Sequence, residues 1–331
     1  MSSDRTLRVA VAGGVPASLG GGGLERQLER TRVALERRGH EVFHVAEVRE
    51  ARPFDVLHVF SSGADMHFAV CEHWRRNTGA PLVLSTVVVV APGRARLRQH
   101  VASRLPIPAF GPRLRVELLR RASVAVALTR HEGALLESFA GRRRVPRIEI
   151  VPNGVDPVAP GVAPPGLPER YAVLLGTVSA RKRQAETVAA LADTPVAPVV
   201  AGGFEGTAAE RARFERAVAA AGGRWLGELA DERAVRALLG GAEALVHLSA
   251  AEGQSLAVLE ALAAGTAVIA SPLPGNQELA ARHPGWVRIV EGPGALRAAL
   301  SVAAPAGAPP GIPSWDDVAG RLEAIYHSVG A

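Results

Sequence analysis

Two glutamates with seven residues between them, Glu252 and Glu260 in EGQSLAVLE, and one lysine, Lys182 in GTVSARKRQAE, are the residues whose types and spacing suit chemistry. Lys182 is the only lysine among 38 basic side chains, so its position needs a reason. Glu252 follows the apolar run EALVHLS, which reads as a strand, and Gly253 to Leu256 open the helix after it. Backbone amides at such a helix start suit a diphosphate or a sugar hydroxyl. Glu260, about a turn and a half deeper, is placed to accept from two vicinal hydroxyls. The plainer alternative makes both glutamates solvated helix charges. For Glu260 that fits poorly, because Val258, Leu259, Ala261 and Leu262 make the helix apolar nearly all round. Gly176 ends the strand YAVLLG, and Arg181, Lys182 and Arg183 then crowd the start of a helix. The helix dipole disfavours three cations there unless an anion joins them.

The elements that must position these residues form a repeating strand–helix pattern. LRVAVAGG, EVFHVA, DVLHVF, PLVLSTVVVV, ASVAVALT and PRIEIV read as strands, with an amphipathic helix at LERQLERTRVALERRGH carrying Leu24, Leu28, Val33 and Leu35. Six prolines fall in PNGVDPVAPGVAPPGLPER, which interrupts regular structure. The pattern restarts with YAVLLG, APVVAGG, GRWLG, EALVHLS, TAVIAS and GWVRIV. The expected fold class is therefore α/β, with two doubly wound parallel sheets. The expected boundaries are a first domain over 1–155, a linker over 156–170, a second domain over 171–303, and a strap with a closing helix over 304–331 that packs back on the first domain. Ser314 is its expected N-cap. Sheets of this kind bind ligands at their carboxyl ends, here expected to face a central cleft.

Several functions are excluded or weakened by the residues. No register of VAVAGGVPASLGGGGLE gives G-x-G-x-x-G, which argues against a dinucleotide cofactor, and no Gly-Lys-Ser/Thr follows to make a P-loop. Gly21, Gly22 and Gly23 still end at a helix start, either as an anion cradle or as a flexible turn. A single cysteine, Cys71, excludes an intramolecular disulfide and a cysteine metal cluster. Neither an apolar leader nor a run long enough to span a bilayer occurs, so the expected location is cytoplasmic. Residues 1–150 carry 24 arginines against 14 acids, whereas 151–331 carry 14 basic and 18 acidic side chains. A nucleic-acid partner is not expected, because the basic half has neither a known binding motif nor regularly spaced aromatics.

EGQSLAVLE resembles the donor-site signature of the retaining glycosyltransferases of family four, which have the GT-B fold of two Rossmann-like domains. The resemblance extends over most of the chain: GGLERQLERTRVALERRGHEV, IVPNGVDP, RWLGELADERAVRALLGGAEALVHLS and PGNQEL match that family's segments in order. It implies that Glu260 holds the nucleotide ribose, Glu252 lies near the donor sugar hydroxyls, and the backbone of Gly253, Gln254, Ser255 and Leu256 contacts sugar and phosphate. Gln254 and Ser255 stand where many members have Phe and Gly. It also implies that Arg181 and Lys182, beyond Gly176, meet the donor diphosphate; Thr177 stands where many members carry the arginine. The histidine usual after the fourth strand is missing from PLVLSTVVVVAPGR, where Ser85 and Thr86 are the nearest polar residues. His67, His100 and His131 read as surface or packed residues.

The resemblance implies a nucleotide diphosphate sugar as donor substrate, no cofactor and no metal, and a hydroxyl acceptor. A short first domain suggests a small-molecule acceptor such as an aminocyclitol, a sugar or a specialised metabolite. Two alternatives stand beside it: a membrane-surface transferase with a lipid-linked or cell-envelope acceptor, and a non-catalytic sugar-nucleotide-binding protein. The stretch 94–121, with eight arginines and one acid, reads as a peripheral membrane contact, as an acceptor wall for an anionic substrate, or as the solvated face of helices.

Overall fold

A computed structural model describes residues 5–13, 22–45, 52–61, 78–87, 111–140, 146–157 and 159–331. They divide into two compact units, residues 1–154 with 313–331 and residues 155–312. The Pro-rich stretch after Gly154 and the strap up to Ile312 both fall within the second unit, and the closing helix falls within the first.

The strands of the first unit are β1 (Arg8–Ala12), β2 (Glu41–His44), β3 (Val56–Ser61), β4 (Leu82–Thr86), β5 (Val124–Ala127) and β6 (Arg147–Ile150). They pair in the order 2-1-3-4-5-6, every pairing parallel. Parallel neighbours require a crossover, and α1 (Gly23–Arg37), α2 (Gly111–Arg121) and α3 (Arg130–Ala140) are the described crossover helices. On one face of the sheet Ala10, Ala12, Leu57, Val59, Leu82, Leu84, Ala125 and Ala127 form a core with Leu118, Leu119 and Leu136 from the helices. Their alternation along each strand follows from the period of two.

On the opposite face His58 replaces an apolar residue. It is fully buried, with Nδ1 at 2.7 Å from the Tyr326 hydroxyl and Nε2 at 2.8 Å from Ser85 Oγ. Tyr326 belongs to the closing helix, Trp315–Ser328, so this polar bridge ties the C-terminus to the sheet. Ser314 caps that helix: its hydroxyl accepts from the Asp317 amide at 3.1 Å, while the Asp317 carboxylate accepts from the Ser314 amide at 2.8 Å. Arg38 from the end of α1 reaches Asp316 at 3.2 Å and Glu323 at 2.8 Å on the same helix.

In the second unit β7 (Tyr171–Leu175), β8 (Ala197–Ala201), β9 (Arg224–Trp225), β10 (Ala244–His247), β11 (Val268–Ala270) and β12 (Val287–Ile289) pair in parallel, in the order 12-11-10-7-8-9. The helices are α4 (Gln184–Leu191), α5 (Ala208–Ala220), α6 (Glu232–Gly240), α7 (Leu256–Ala263), α8 (Pro274–Arg282) and α9 (Leu296–Leu300). Tyr171, Val173, Leu245 and Val268 pack on one face with α7, and Ala172, Leu174, Val246 and Ile269 pack on the other with Val188 and Leu191 of α4. Both faces are covered, which is why these strands read as unbroken apolar runs. The reversal of strand order lies between β10 and β7, so the loops leaving those two strands emerge side by side.

Candidate donor site

Gly176 follows β7 with φ +114°, a backbone region open to glycine, and its amide donates to the Ala201 carbonyl at 2.8 Å. A Cβ on Gly176 would lie 2.8 Å from Lys182 Nζ, so the missing side chain is the space the lysine occupies. Thr177 is exposed on the same loop. Gln184, the first residue of α4 and itself buried, holds the loop at three points. Its side-chain amide donates to the carbonyls of Gly176 at 3.2 Å and Thr177 at 3.0 Å, and its carbonyl oxygen accepts from the Ser179 amide at 3.2 Å. Arg183 sits at φ +56°, the one non-glycine residue with positive φ among those described, and pairs with Glu186 at 2.7 Å. Of the three cations expected to crowd this helix start, Arg183 is thus held by its own helix, and Arg181 and Lys182 turn to β10.

There they meet Glu252. Arg181 Nη1 lies 2.7 Å from Glu252 Oε1 and also donates to the Ala251 carbonyl at 2.9 Å; Lys182 Nζ lies 3.6 Å from the same Oε1. The lysine and glutamate side chains are only 16% and 15% exposed, whereas Arg181 is 46% exposed. Burial lowers the lysine's pKa, and the nearby Glu252 carboxylate works against that fall. Burial would raise the glutamate, but Lys182, His247 and Arg181 outweigh it and hold Glu252 below the usual carboxylate range. The net result is a carboxylate kept charged between two cations.

After Glu252 the chain bends through half-buried Gly253 and Gln254 into α7. Ser255 is the buried N-cap, with extended backbone and no hydrogen bond from its hydroxyl to the helix amides, and Leu256 is the first helical residue. Glu260, half-buried on α7, acts electrostatically on both Lys182 and Arg236, so its carboxylate belongs to the same corner of the unit. Gly176, Thr177, Arg181, Lys182, Glu252, Gly253, Gln254, Ser255, Leu256 and Glu260 therefore all lie on the two loops leaving β7 and β10 or on the helix that follows β10.

Two further residues here escaped the reading of the sequence. His247 ends β10 and Ser249 follows it, both buried, and both approach Glu252 Oε1, at 3.7 Å and 3.2 Å. The signal was present in EALVHLS, where one imidazole interrupts an apolar strand ending two residues before a serine and five before the glutamate.

In the first unit Gly23 begins α1, and Gly22 donates its amide to the Glu25 carboxylate at 2.8 Å; Gly21 lies outside the described residues. That helix start thus has an acid on one of its amides. Ser85 is engaged with His58, and Thr86 donates to the buried Glu132 carboxylate at 2.9 Å. His131 is half-buried in the first turn of α3; His67, His100 and Cys71 lie outside the described residues. So does most of 94–121. At its described end Arg120 and Arg121 both pair with Glu117, at 3.0 and 2.8 Å. Among the described residues no group of His, Cys, Asp and Glu is arranged to hold a metal ion, and no helix is long and apolar enough to cross a membrane.

The loop geometry makes one substitution diagnostic. Gly202 follows β8 with φ +145°, and a Cβ there would lie 2.3 Å from the Gly176 carbonyl oxygen. Gly202→Ala is expected to cost about 1–3 kcal/mol in a denaturant melt and to displace the loop that carries Gly176. Unchanged stability would show that the loop yields freely.

Two parallel six-stranded sheets with flanking helices, and a charged cluster where the strand order of the second reverses, define a protein of two Rossmann-like domains. Residues 164–300 match the family model of glycosyl transferases group 1. That match lies within the second unit, and the chain has the GT-B fold. Among solved structures, sucrose-phosphate synthase from Thermosynechococcus elongatus is similar over 98% of this chain and 99% of that one, with a TM-score of 0.70 and 16% identity. HepE from Anabaena, in complex with UDP and glucose, is similar over 98% and 97%, with a TM-score of 0.64 and 16% identity. AviGT4, a glycosyltransferase involved in avilamycin A biosynthesis, covers 98% of each chain at 0.62 and 18%. At such identities the likeness is one of fold. No curated sequence relative matches the chain.

Proposed function

We propose that the protein is a retaining glycosyltransferase that moves a sugar from a nucleoside diphosphate sugar to a hydroxyl of a small-molecule acceptor such as an aminocyclitol, a sugar or a specialised metabolite. The observation that carries the reading is the convergence of Arg181 and Lys182 on Glu252, beside a glycine whose missing side chain makes room for the lysine. Breaking the bond between the sugar C1 and the diphosphate oxygen leaves negative charge on the leaving group, and fixed cations aimed there lower the barrier. Attack on C1 from the same face forms the new glycosidic bond, and the acceptor's proton passes to the departing phosphate oxygen. No protein base is compulsory on that route, in keeping with a chain that lacks the usual histidine after its fourth strand. Glu252 orients the sugar hydroxyls, Glu260 holds the ribose hydroxyls, and the amides at the start of α7 contact the diphosphate and sugar. The reaction needs no resident cofactor or metal; the nucleotide sugar is a substrate.

A thermal-shift screen with UDP, GDP, TDP and ADP tests the donor half of this reading. A ligand bound only by the folded form raises its stability, by about 2.7 kcal/mol at a hundredfold excess over Kd. One diphosphate is expected to raise the melting temperature well beyond the others; no shift with any of them overturns the reading. Radiolabelled nucleotide sugars then separate an enzyme from a binding protein, since binding without transfer or hydrolysis removes the enzymatic assignment.

A further inference from the structure

Among the described residues, four groups approach Glu252 Oε1: Arg181 Nη1 at 2.7 Å, Ser249 Oγ at 3.2 Å, Lys182 Nζ at 3.6 Å and His247 Nε2 at 3.7 Å. Ser249 has one proton, and it is donated to Oε1. The 3.3 Å contact between Ser249 Oγ and His247 Nε2 is then completed only if the imidazole carries its proton on Nε2 and donates it to the serine. The three side chains form a relay from imidazole N–H to hydroxyl to carboxylate, in which each bond polarises the next.

The relay is anchored from outside the site. Ser271 Oγ donates to the Ser249 carbonyl at 2.7 Å, the Ser271 amide donates to the His247 carbonyl at 3.2 Å, and Asn276 from α8 donates to the Ser271 carbonyl at 2.9 Å. His247, Ser249, Ser271 and Asn276 are all buried, so this is a fixed scaffold under a half-buried carboxylate.

We infer that His247, acting through Ser249, is a positioning residue: it locks Glu252 Oε1 among its four neighbours so that Oε2 is presented to a hydroxyl of the donor sugar. The inference rests on the donor-site reading above and goes beyond it by assigning the two oxygens of one carboxylate to different tasks. A fixed acceptor favours the sugar-bearing donor over the bare nucleotide, because orientation is settled before the ligand arrives. His247 touches no substrate in this scheme, and its removal loosens the sugar end of the site while leaving the nucleotide end intact.

The test compares affinities of a nucleoside diphosphate and of its sugar esters by calorimetry, in the wild type and in His247→Leu, Ser249→Ala and His247→Gln. The diphosphate is whichever of UDP, GDP, TDP and ADP binds the wild type most tightly, and the esters are those of glucose, galactose, mannose and N-acetylglucosamine. The best ester is expected to bind the wild type about tenfold more tightly than the diphosphate, as a hydrogen bond to a charged group allows. His247→Leu and Ser249→Ala are expected to lose most of that gain while binding the diphosphate within about twofold of wild type. His247→Gln, whose amide N–H can still donate to Ser249, is expected to retain the gain, a rescue that a purely structural role would not produce. An ester gain unchanged in His247→Leu, or no gain for any ester in the wild type, overturns the inference with the donor site still standing. Failure of every diphosphate to bind the wild type overturns the donor-site reading itself.

Discussion

Lys182→Ala is expected to lower sugar transfer by about 10²–10³-fold, the typical loss when one preorganised charge partner of a leaving group is removed, with the chain still folded. The fold is spared because Glu252 keeps Arg181 at 2.7 Å when the lysine is gone, so no buried carboxylate is left without a cation. Lys182→Arg is the sharper version. Lysine presents a compact point charge on a flexible stem, whereas arginine presents a planar fork that needs room on both sides. The room is measured by Gly176, where even a Cβ would come within 2.8 Å of Nζ, and by Glu252 Oε1 at 3.6 Å on the other side. A guanidinium in that slot must push out against one of them, and about tenfold or more of the turnover is expected to go with it. In a chain that uses arginine at every other basic position, near-normal transfer by Lys182→Arg would show that the slot imposes no such demand. Steady-state rates with the matched nucleotide sugar, beside a thermal melt of each variant, separate the loss of chemistry from the loss of fold.

The second large effect is a loss of stability in mild acid. His58 and His247 are both fully buried, and burial pushes their pKa values down from 6.5 to about 3 and about 4. In the unfolded chain each binds a proton as the pH falls below about 6.5; in the folded chain each resists until near its depressed value. Between those limits the unfolded state holds more protons, so acid favours it, and each histidine costs about 1.4 kcal/mol per pH unit. Stability is therefore full above about pH 6.5 and falls as the pH drops toward 4. His40 and His283, also pushed down by burial, act in the same direction. Depressed carboxylates such as Glu252 and Asp55 withdraw their contribution only below about pH 4.5, so the histidine slope comes first. Denaturant melts at pH 7, 6 and 5 should show it, and because His58 lies in the first unit and His247 in the second, each unit should carry its own share. His247→Gln is expected to flatten the slope of the second unit and His58→Gln that of the first. Equal stability at pH 7 and pH 5 would contradict the assignment of both imidazoles as buried neutral groups.

The positions of all twelve described strands were legible in the sequence, from LRVAVAGG at β1 to GWVRIV at β12. Strands buried on both faces must be short apolar runs, and the helices between them carry a different period, so local composition suffices to separate the two. The pairing of Ser314 with Asp317 was equally local. Glu252 and Glu260 were readable for the same reason, since eight positions along one loop and helix determine their spacing whatever the rest of the chain does.

What the tertiary structure alone decided is how residues about seventy positions apart meet. Arg181 and Lys182 reach Glu252 because β7 pairs with β10, and that adjacency comes from the strand order 12-11-10-7-8-9, which no local pattern encodes. Gln184 under the loop of Gly176, and His247 and Ser249 beneath the glutamate, are by contrast within eight residues of the groups they hold. The imidazole that interrupts EALVHLS is legible in sequence, but its role is not, because a buried histidine and a buried serine differ from ordinary core substitutions only in what faces them. The single lysine shows the division most plainly. Its rarity and its place after a strand-ending glycine belong to the sequence, whereas the slot it occupies, between the Gly176 backbone and the Glu252 carboxylate, belongs to the packing. Sequence specifies the strands, and only their packing determines how wide that slot is.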